Sequence, residues 1–351
     1  MLRPLYNWQL LTLKNTHMGL LQLFDKILGT SLAKKPADSS QAKRARIIGV
    51  AMVKNEADII ELFIKINSRF FSEIHILDHQ SSDSTATIIQ KCQSWGYCVK
   101  YKLLENDGSG FNQAEITTHY IQQIARDTEF DYIMPIDADE FPFINPVEKN
   151  LTQATRACGY CLIPWVTYCP INDNYLSTHA PLYTNFQPRN FEPDQYYKVI
   201  LTRDFAKTVK LSTGNHNVVD AEKYKPKKIR GILQHVPVRS AAQISSKAII
   251  GSTVVKMTKN LEKGACFHWN EMAERISEKN LEISQAETLD IALNYAKFKN
   301  DKRSPRISLF TLYPRIGTPE DSIELKDLAK VDLHKNLKAF QLAQIAASQT
   351  T

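Results

Sequence analysis

The chain has 351 residues, 43% of them hydrophobic and 23% charged, with a formal net charge of +7. That is enough chain for one large globular domain with additions, or for two small ones. The charge is too small and too dispersed to mark a nucleic-acid-binding surface. No apolar run is long enough to cross a bilayer as a helix, and six cysteines in so long a chain form no disulfide framework. Reduced thiols, and with them a cytoplasmic location, are the expectation.

Residues 1–32 read as an amphipathic helical segment, with Leu20, Leu21, Leu23, Phe24, Ile27 and Leu28 clustered. The segment lacks the charged start, compact apolar run and small-residue cleavage site of a secretory signal. Residues 33–46 (AKKPADSSQAKRAR) offer little to bury and read as a basic linker. The helix either packs on the body of the protein or, with the linker, makes peripheral contact with an anionic membrane surface.

From Ile47 the pattern changes. IIGVAMV is a short apolar run of the kind that forms a strand buried on both faces. Lys54 and Asn55 then open a helix in which Ile59, Ile60, Phe63, Ile64 and Phe70 recur at helical spacing. EIHILD (residues 73–78) is the second strand. The loop HQSSDST leads to a helix with Ile88, Ile89, Cys92 and Trp95 on one face, capped by Ser82 or Asp83. A third strand is expected at about 98–104, a helix at about 112–126, and a fourth strand, DYIMPID, ends at Asp137. Strand–helix alternation repeated three times predicts an α/β fold: a mostly parallel, Rossmann-like sheet flanked by helices.

The second half is less regular, with strand-like pieces at CGYCLIPW and YYKVILT. Cys158 and Cys161 form a C-x-x-C without a second pair at zinc-site spacing, so they read as strand residues. From about Glu271 the chain turns helical and polar. The predicted organisation is therefore a domain over 47–270, divisible at 143, followed by a helical extension over 271–351.

In a parallel α/β sheet the ligand lies beyond the carboxyl ends of the strands. The polar residues there are Lys54, Asn55, Glu56, Asp78, Asp83, Asp107, Asp137 and Asp139. This rim is acidic in a chain that is basic overall, which makes sense if a cation bridges protein and phosphate. Asp137-Ala138-Asp139 directly after an apolar strand supplies hard oxygen ligands suited to Mn2+ or Mg2+. A cation held there would neutralise a diphosphate and stabilise it as a leaving group.

VAMVKNEADIIELFI, LDHQSSDST and MPIDADEF, in that order, together resemble glycosyltransferase family 2. The likeness is to the bacterial branch whose first motif reads K-N-E and whose metal motif reads D-x-D-E-F. It covers Ile47 to Phe143 firmly and runs on loosely, through KVILT, GNH, HVPVRS and FHW, to about Trp269. The resemblance implies a GT-A fold, a nucleotide-sugar donor (UDP-sugar favoured), and inverting transfer to a hydroxyl of a glycan or glycolipid acceptor. A role in bacterial surface polysaccharide or lipopolysaccharide synthesis follows as an expectation.

Placed on this sequence, the resemblance implies that Val53, Lys54, Asn55 and Glu56 line the nucleotide pocket. Asp78 and Asp83 would meet the base and ribose, where a carboxylate accepts from an N–H or a hydroxyl; Asp83 is alternatively a helix cap. Gln113 and Glu115 head the helix before the metal strand. Glu140 either orders the metal loop from behind or is a surface residue. Asp137 and Asp139 would hold the metal, with His216 or His235 completing the metal–diphosphate site. Lys198, Arg239 and Lys247 are the candidate phosphate cations. His268 and Trp269 form either an acceptor wall or a packed pair. No residue matches the family's catalytic base cleanly; Asp173 is the nearest candidate, then Glu192 and Asp194. Two other functions stay open: a nucleotidyltransferase, although the Gly-rich loop that would hold a triphosphate is missing after the first strand, and a non-catalytic sugar-binding protein on the same fold.

Overall fold

The computed structural model describes residues 44–105, 112–172, 175–177, 182–192, 196–257, 272–276, 283–297, 302–308 and 313–332, with two isolated positions beyond. The chain divides into Met1–Arg44 and Ala45–Thr351, and everything below concerns the second unit. The amino-terminal helix and most of the basic linker lie outside the described residues, as do Asp107, Asp173, Asp194, His268 and Trp269. Among the described residues no helix is long and apolar enough to cross a membrane.

The first half follows the alternating pattern. Strands β1 (Ile47–Val53), β2 (Glu73–Asp78), β3 (Val99–Leu103) and β4 (Tyr132–Pro135) alternate with helices α1 (Ile60–Asn67), α2 (Thr85–Ser94) and α3 (Gln113–Asp127). The strands lie in the order β3-β2-β1-β4, all parallel. Every residue of β1 is buried, because alternate side chains leave a strand on opposite faces and both faces here are covered. Ile47, Ala51 and Val53 pack with Phe63, Ile64, Ile88 and Ile89 of α1 and α2. Ile48, Val50 and Met52 pack with Ile121, Ile124 and Ala125 of α3. Gly49 sits where the ring of Phe71 closes in; a Cβ there would lie 2.9 Å from a ring carbon.

The second half turns the sheet mixed. Its strands and longer helices are β5 (Glu140–Ile144), α4 (Val147–Thr155), β6 (Tyr160–Pro170), β7 (Phe186–Pro188), β8 (Tyr197–Thr202), β9 (Lys227–Lys228), β10 (Gly231–His235), α5 (Ala241–Met257) and α6 (Gln285–Leu293). The main sheet continues from β4 to β8, β6, β10 and β5. Strand β8 runs antiparallel to β4 and β6, and β5 runs antiparallel to β10. The expected mostly parallel sheet is thus parallel through its first four strands and mixed beyond them. Strand β8 inserts between β4 and β6, and its reversed direction brings its first residues to the carboxyl end of β4.

Two boundaries differ from expectation for a local reason. Helix α1 starts at Ile60 rather than at Lys54, because the amides of Ile59 and Ile60 both bond to the Glu56 carbonyl in a preceding turn. Asp83 does not cap α2; the cap position is Ser84, without a side-chain cap bond. The Asp83 carboxylate instead accepts from the amides of Ala57 and Thr85, at 3.1 and 2.9 Å.

Candidate functional site

Three strand ends converge beyond β4. Asp137 follows that strand, and the chain turns so that the Glu140 amide donates to the Asp137 carbonyl at 3.1 Å. Glu140 then opens β5, whose register against β10 sets it opposite His235. The next amide, Val236, donates to the Asp139 carbonyl at 2.8 Å, so backbone pairing alone fixes His235 beside the D-A-D turn. On the other side, β8 pairs Lys198 with Ile163 of β6 and delivers its ammonium group to the same turn.

The side chains join into one network. Lys198, 0% exposed, donates to Asp137 Oδ2 at 2.7 Å and to the Gly214 carbonyl at 2.8 Å, and lies 3.7 Å from Glu140 Oε1. Gln113 donates to Asp137 Oδ1 at 3.2 Å. Glu140 is buried; its Oε2 accepts from the Asp137 amide at 2.9 Å and its Oε1 from Trp165 Nε1 at 2.8 Å. Glu140 therefore holds the D-A-D turn from behind. Burial pushes its carboxyl well above the usual carboxylate range, against the pull of Lys198.

Asp139 is buried beneath two cations. Lys247 of α5 donates to its Oδ2 at 2.8 Å, and Arg239 approaches the same oxygen at 3.5 Å. Burial would raise this carboxyl, but Lys247 and Arg239 overcome it and hold Asp139 well below the usual range. Lys247 also meets Glu56 Oε1 at 3.2 Å. Arg239, 1% exposed, grips Asp58 through Nε (2.6 Å) and Nη2 (2.9 Å), and its Nη2 also reaches Glu56 at 2.7 Å. Its Nη1 goes to Asp139 and to the Val236 carbonyl. A guanidinium has five N–H donors, and all five are engaged here, which leaves none for a phosphate in this arrangement.

His235 stacks on Trp165 with ring centroids 4.2 Å apart. Its Nε2 lies 3.6 Å from Asp139 Oδ1, and its Nδ1 is buried with no hydrogen bond among the described residues. Burial pushes its pKa down to about 3, despite the nearby Asp139, so the ring is neutral. The edge of the same indole meets the His216 ring at 5.1 Å. His216 Nδ1 donates to the Tyr197 carbonyl at 3.0 Å.

The residues expected around the nucleotide form a second group at the ends of β1 and β2. Lys54 donates to the carbonyls of His79 and Gln80, at 2.8 and 3.2 Å. The amides of Asn55, Glu56 and Ala57 donate in turn to Ser81 Oγ, Thr85 Oγ1 and Asp83 Oδ2. Asn55 has a φ of 56° and accepts from the Ser82 amide at 2.7 Å. Asp78 accepts from the Ser81 amide (2.7 Å) and the Tyr101 hydroxyl (2.9 Å). Val53 is buried, and its carbonyl accepts from the His79 amide. This group is a braced pair of loops, joined to the first network through Glu56.

Asp58, Trp165 and Tyr175, whose hydroxyl donates to Asp58 Oδ2 at 2.9 Å, were not singled out from the sequence. Asp58 follows Glu56 in the same polar run and could have been found there; Trp165 and Tyr175 carry no local signal. Glu192, the second candidate base, is held by Arg189 and by the Thr167 amide and stands apart from the D-A-D turn in its bonding.

Among the described residues, no three His, Cys, Asp or Glu side chains are gathered into a ready metal cage. The donors nonetheless suit a hard divalent cation. Asp139 Oδ1 takes no hydrogen bond among the described residues, the Asp137 side chain keeps 31% of its surface exposed, and the imidazole of His235 is neutral. Magnesium-type ions are commonly held by one or two carboxylates together with water and substrate phosphate.

The chain matches no protein-family model and no curated relative. Among solved structures it is similar to the mannosyltransferase PcManGT from Pyrobaculum calidifontis, in complex with GDP-Man and Mn2+. That alignment has 15% identity over 80% of this chain and 83% of that one, with a TM-score of 0.33. It is also similar to glucosyl-3-phosphoglycerate synthase from Mycobacterium tuberculosis, with Mn2+ and UDP, at 15% identity over 49% of this chain and 64% of that one (TM-score 0.26). The mannosyltransferase Ktr4p from S. cerevisiae aligns at 8% identity over 47% of this chain and 51% of that one (TM-score 0.24). At scores of 0.33 and below, these three likenesses fix neither family nor activity.

Proposed function

We propose that this chain is a glycosyltransferase of the family 2 type on a GT-A-like fold, moving a sugar from a nucleotide-sugar to a hydroxyl acceptor with inversion. One observation carries the reading. The Asp137-Ala138-Asp139 turn lies at the carboxyl end of a parallel strand pair and is met by Lys198, Lys247 and a neutral His235. The three ordered motifs of the sequence support it.

On this reading Asp137 and Asp139, with His235 or His216, would hold Mn2+ or Mg2+ against the donor diphosphate. Such an ion would supply Lewis-acid stabilisation to the departing nucleoside diphosphate. Lys198 and Lys247 set the direction of the two carboxylates and limit repulsion between them and the incoming phosphates. Gln113 orients Asp137. Lys54, Asn55, Asp78 and Asp83 shape the nucleotide pocket. The acceptor hydroxyl attacks the anomeric carbon on the face opposite the diphosphate, and its proton goes to a carboxylate, which we assign to Asp173 on sequence grounds. Synthesis of a bacterial surface glycan or lipopolysaccharide is the setting proposed, at the cytoplasmic face of the membrane.

The nucleotidyltransferase alternative calls for open backbone amides after the first strand to cradle a triphosphate. Here the three successive amides of Asn55, Glu56 and Ala57 are all bonded to side chains of the 81–85 loop, which weighs against it. Thermal stabilisation by a panel of UDP-, GDP- and ADP-sugars, with and without Mn2+, tests the proposal. A Mn2+-dependent rise with one nucleotide-sugar class is expected. Stabilisation by nucleoside triphosphates alone, or by nothing in the panel, overturns it.

A further inference from the structure

The carboxyl-terminal segment 316–332 is far in sequence from the nucleotide loops, yet it is bolted to the same half of the molecule. Three attachments fix it along α1. Arg69 holds Asp321 in a two-pronged pair, 2.7 Å on each arm. Glu61, almost fully buried on α1, accepts from the successive amides of Glu324 and Leu325 at 2.7 and 2.8 Å. Lys65 joins Glu61 and Glu324, at 2.8 Å each, and donates to the Ser322 carbonyl at 3.2 Å. Ile316 and Ala329 are buried in the same core as the inner faces of α1 and α2.

The segment then turns helical over 326–332 and ends its described course at the donor loops. Asp332 Oδ2 accepts from the Ser84 amide at 2.7 Å. Ser84 precedes α2 in the loop whose Ser81, Ser82, Asp83 and Thr85 bond to the amides or side chain of Asn55, Glu56 and Ala57. The two loops brace each other from the inside, and Asp332 holds one of them from the outside. A charged acceptor on a backbone amide is among the stronger hydrogen bonds.

We infer that Asp332 is a positioning residue for donor binding: the carboxyl-terminal segment is a strut, anchored on α1, that latches the 81–85 loop in its ligand-ready geometry. The inference rests on the reading of these loops as the nucleotide pocket. It adds a contribution from a region that carries none of the sequence motifs and would otherwise pass for a dispensable tail.

The test compares the full-length protein with Asp332→Ala and Asp332→Asn, the second keeping an oxygen that can accept from the Ser84 amide. Two measurements are made on each: hydrogen exchange at the 81–85 amides, and titration of the UDP- or GDP-sugar, in Mn2+, that stabilises the parent. Asp332→Ala should speed exchange in the loop several-fold and raise the donor KM about three- to ten-fold at unchanged kcat, with a fall in melting temperature of no more than about 2–4 °C. Asp332→Asn should recover most of both losses. Unchanged loop exchange in Asp332→Ala overturns the latch. So does faster exchange with unchanged donor affinity, or a loss that follows melting temperature and is not recovered by Asn. If the parent binds no nucleotide-sugar, the proposed function fails instead, and loop exchange alone decides whether the strut exists.

Discussion

Lys198 shows how much of this site is decided by single buried charges. Its ammonium is wholly enclosed, with Asp137 at 2.7 Å and Glu140 at 3.7 Å. A lysine in such a place survives only because its partners return what burial removes. Lys198→Met keeps the length of the side chain but leaves Asp137 facing an uncompensated interior. We predict a loss of about 3 kcal/mol, the lower end for breaking a buried pair since Asp137 is partly solvated, read as a shift of the urea midpoint at constant slope. A midpoint within error of the parent would show that the pair is not formed in solution. Asp137 and Asp139 were legible in the sequence because the D-x-D follows an apolar strand in an alternating pattern. The sequence marks their partners only as generic cations, since no spacing rule says which lysine 61 residues downstream will face which aspartate. Arg239 illustrates the gap: the sequence suggests a phosphate ligand, and the geometry commits its donors to Asp58, Glu56, Asp139 and a carbonyl.

At the scale of elements, the first half was readable because each strand answers to a local rule. IIGVAMV is apolar at every position and buried on both faces. The second half was not, because β6, β8 and β10 pair out of chain order and in both directions, and register between distant strands leaves no periodic trace. That register is nonetheless what sets His235 against the D-A-D turn. The loop carrying Gly214 is its counterpart on the β8 side. Gly214 has φ of 69°, its carbonyl accepts from Lys198, and a Cβ would lie 2.5 Å from His216 Nε2. Gly214→Ala should therefore cost at least about 1–2 kcal/mol from the left-handed backbone alone, and more from the displaced imidazole. Donor affinity should fall along with stability. If denaturation and donor titration both leave the variant equal to the parent, the loop has room that this packing denies it.

For the molecule as a whole, the feature to explain is that the last described segment is held by charge at three points on the first half. Its attachment makes stability pH-dependent in a defined direction. Burial works to raise the Asp321 carboxyl, but the paired Arg69 and the bonds from Thr318 together outweigh it, so the folded value lies below the ordinary one. An unfolded aspartate titrates near about 3.9. The contribution of Asp321 is therefore fully present above that pH and drains away as the pH falls through the lower, folded value. Asp321→Asn should be less stable than the parent at pH 7 and should converge on it as pH drops below about 4, seen by urea unfolding across that range. A gap that stays constant with pH would mean the carboxylate charge is not what binds the segment. This long-range closure was invisible in the sequence, where 271–351 reads only as a polar helical extension.

Manganese and a nucleoside diphosphate soaked together into crystals, with the ion located by its anomalous scattering, test the central claim most directly. A single strong peak is expected within coordinating distance of the Asp137 and Asp139 carboxylates and of the diphosphate. A peak elsewhere, with Asp137 still paired to Lys198 and Asp139 to Lys247, would contradict it.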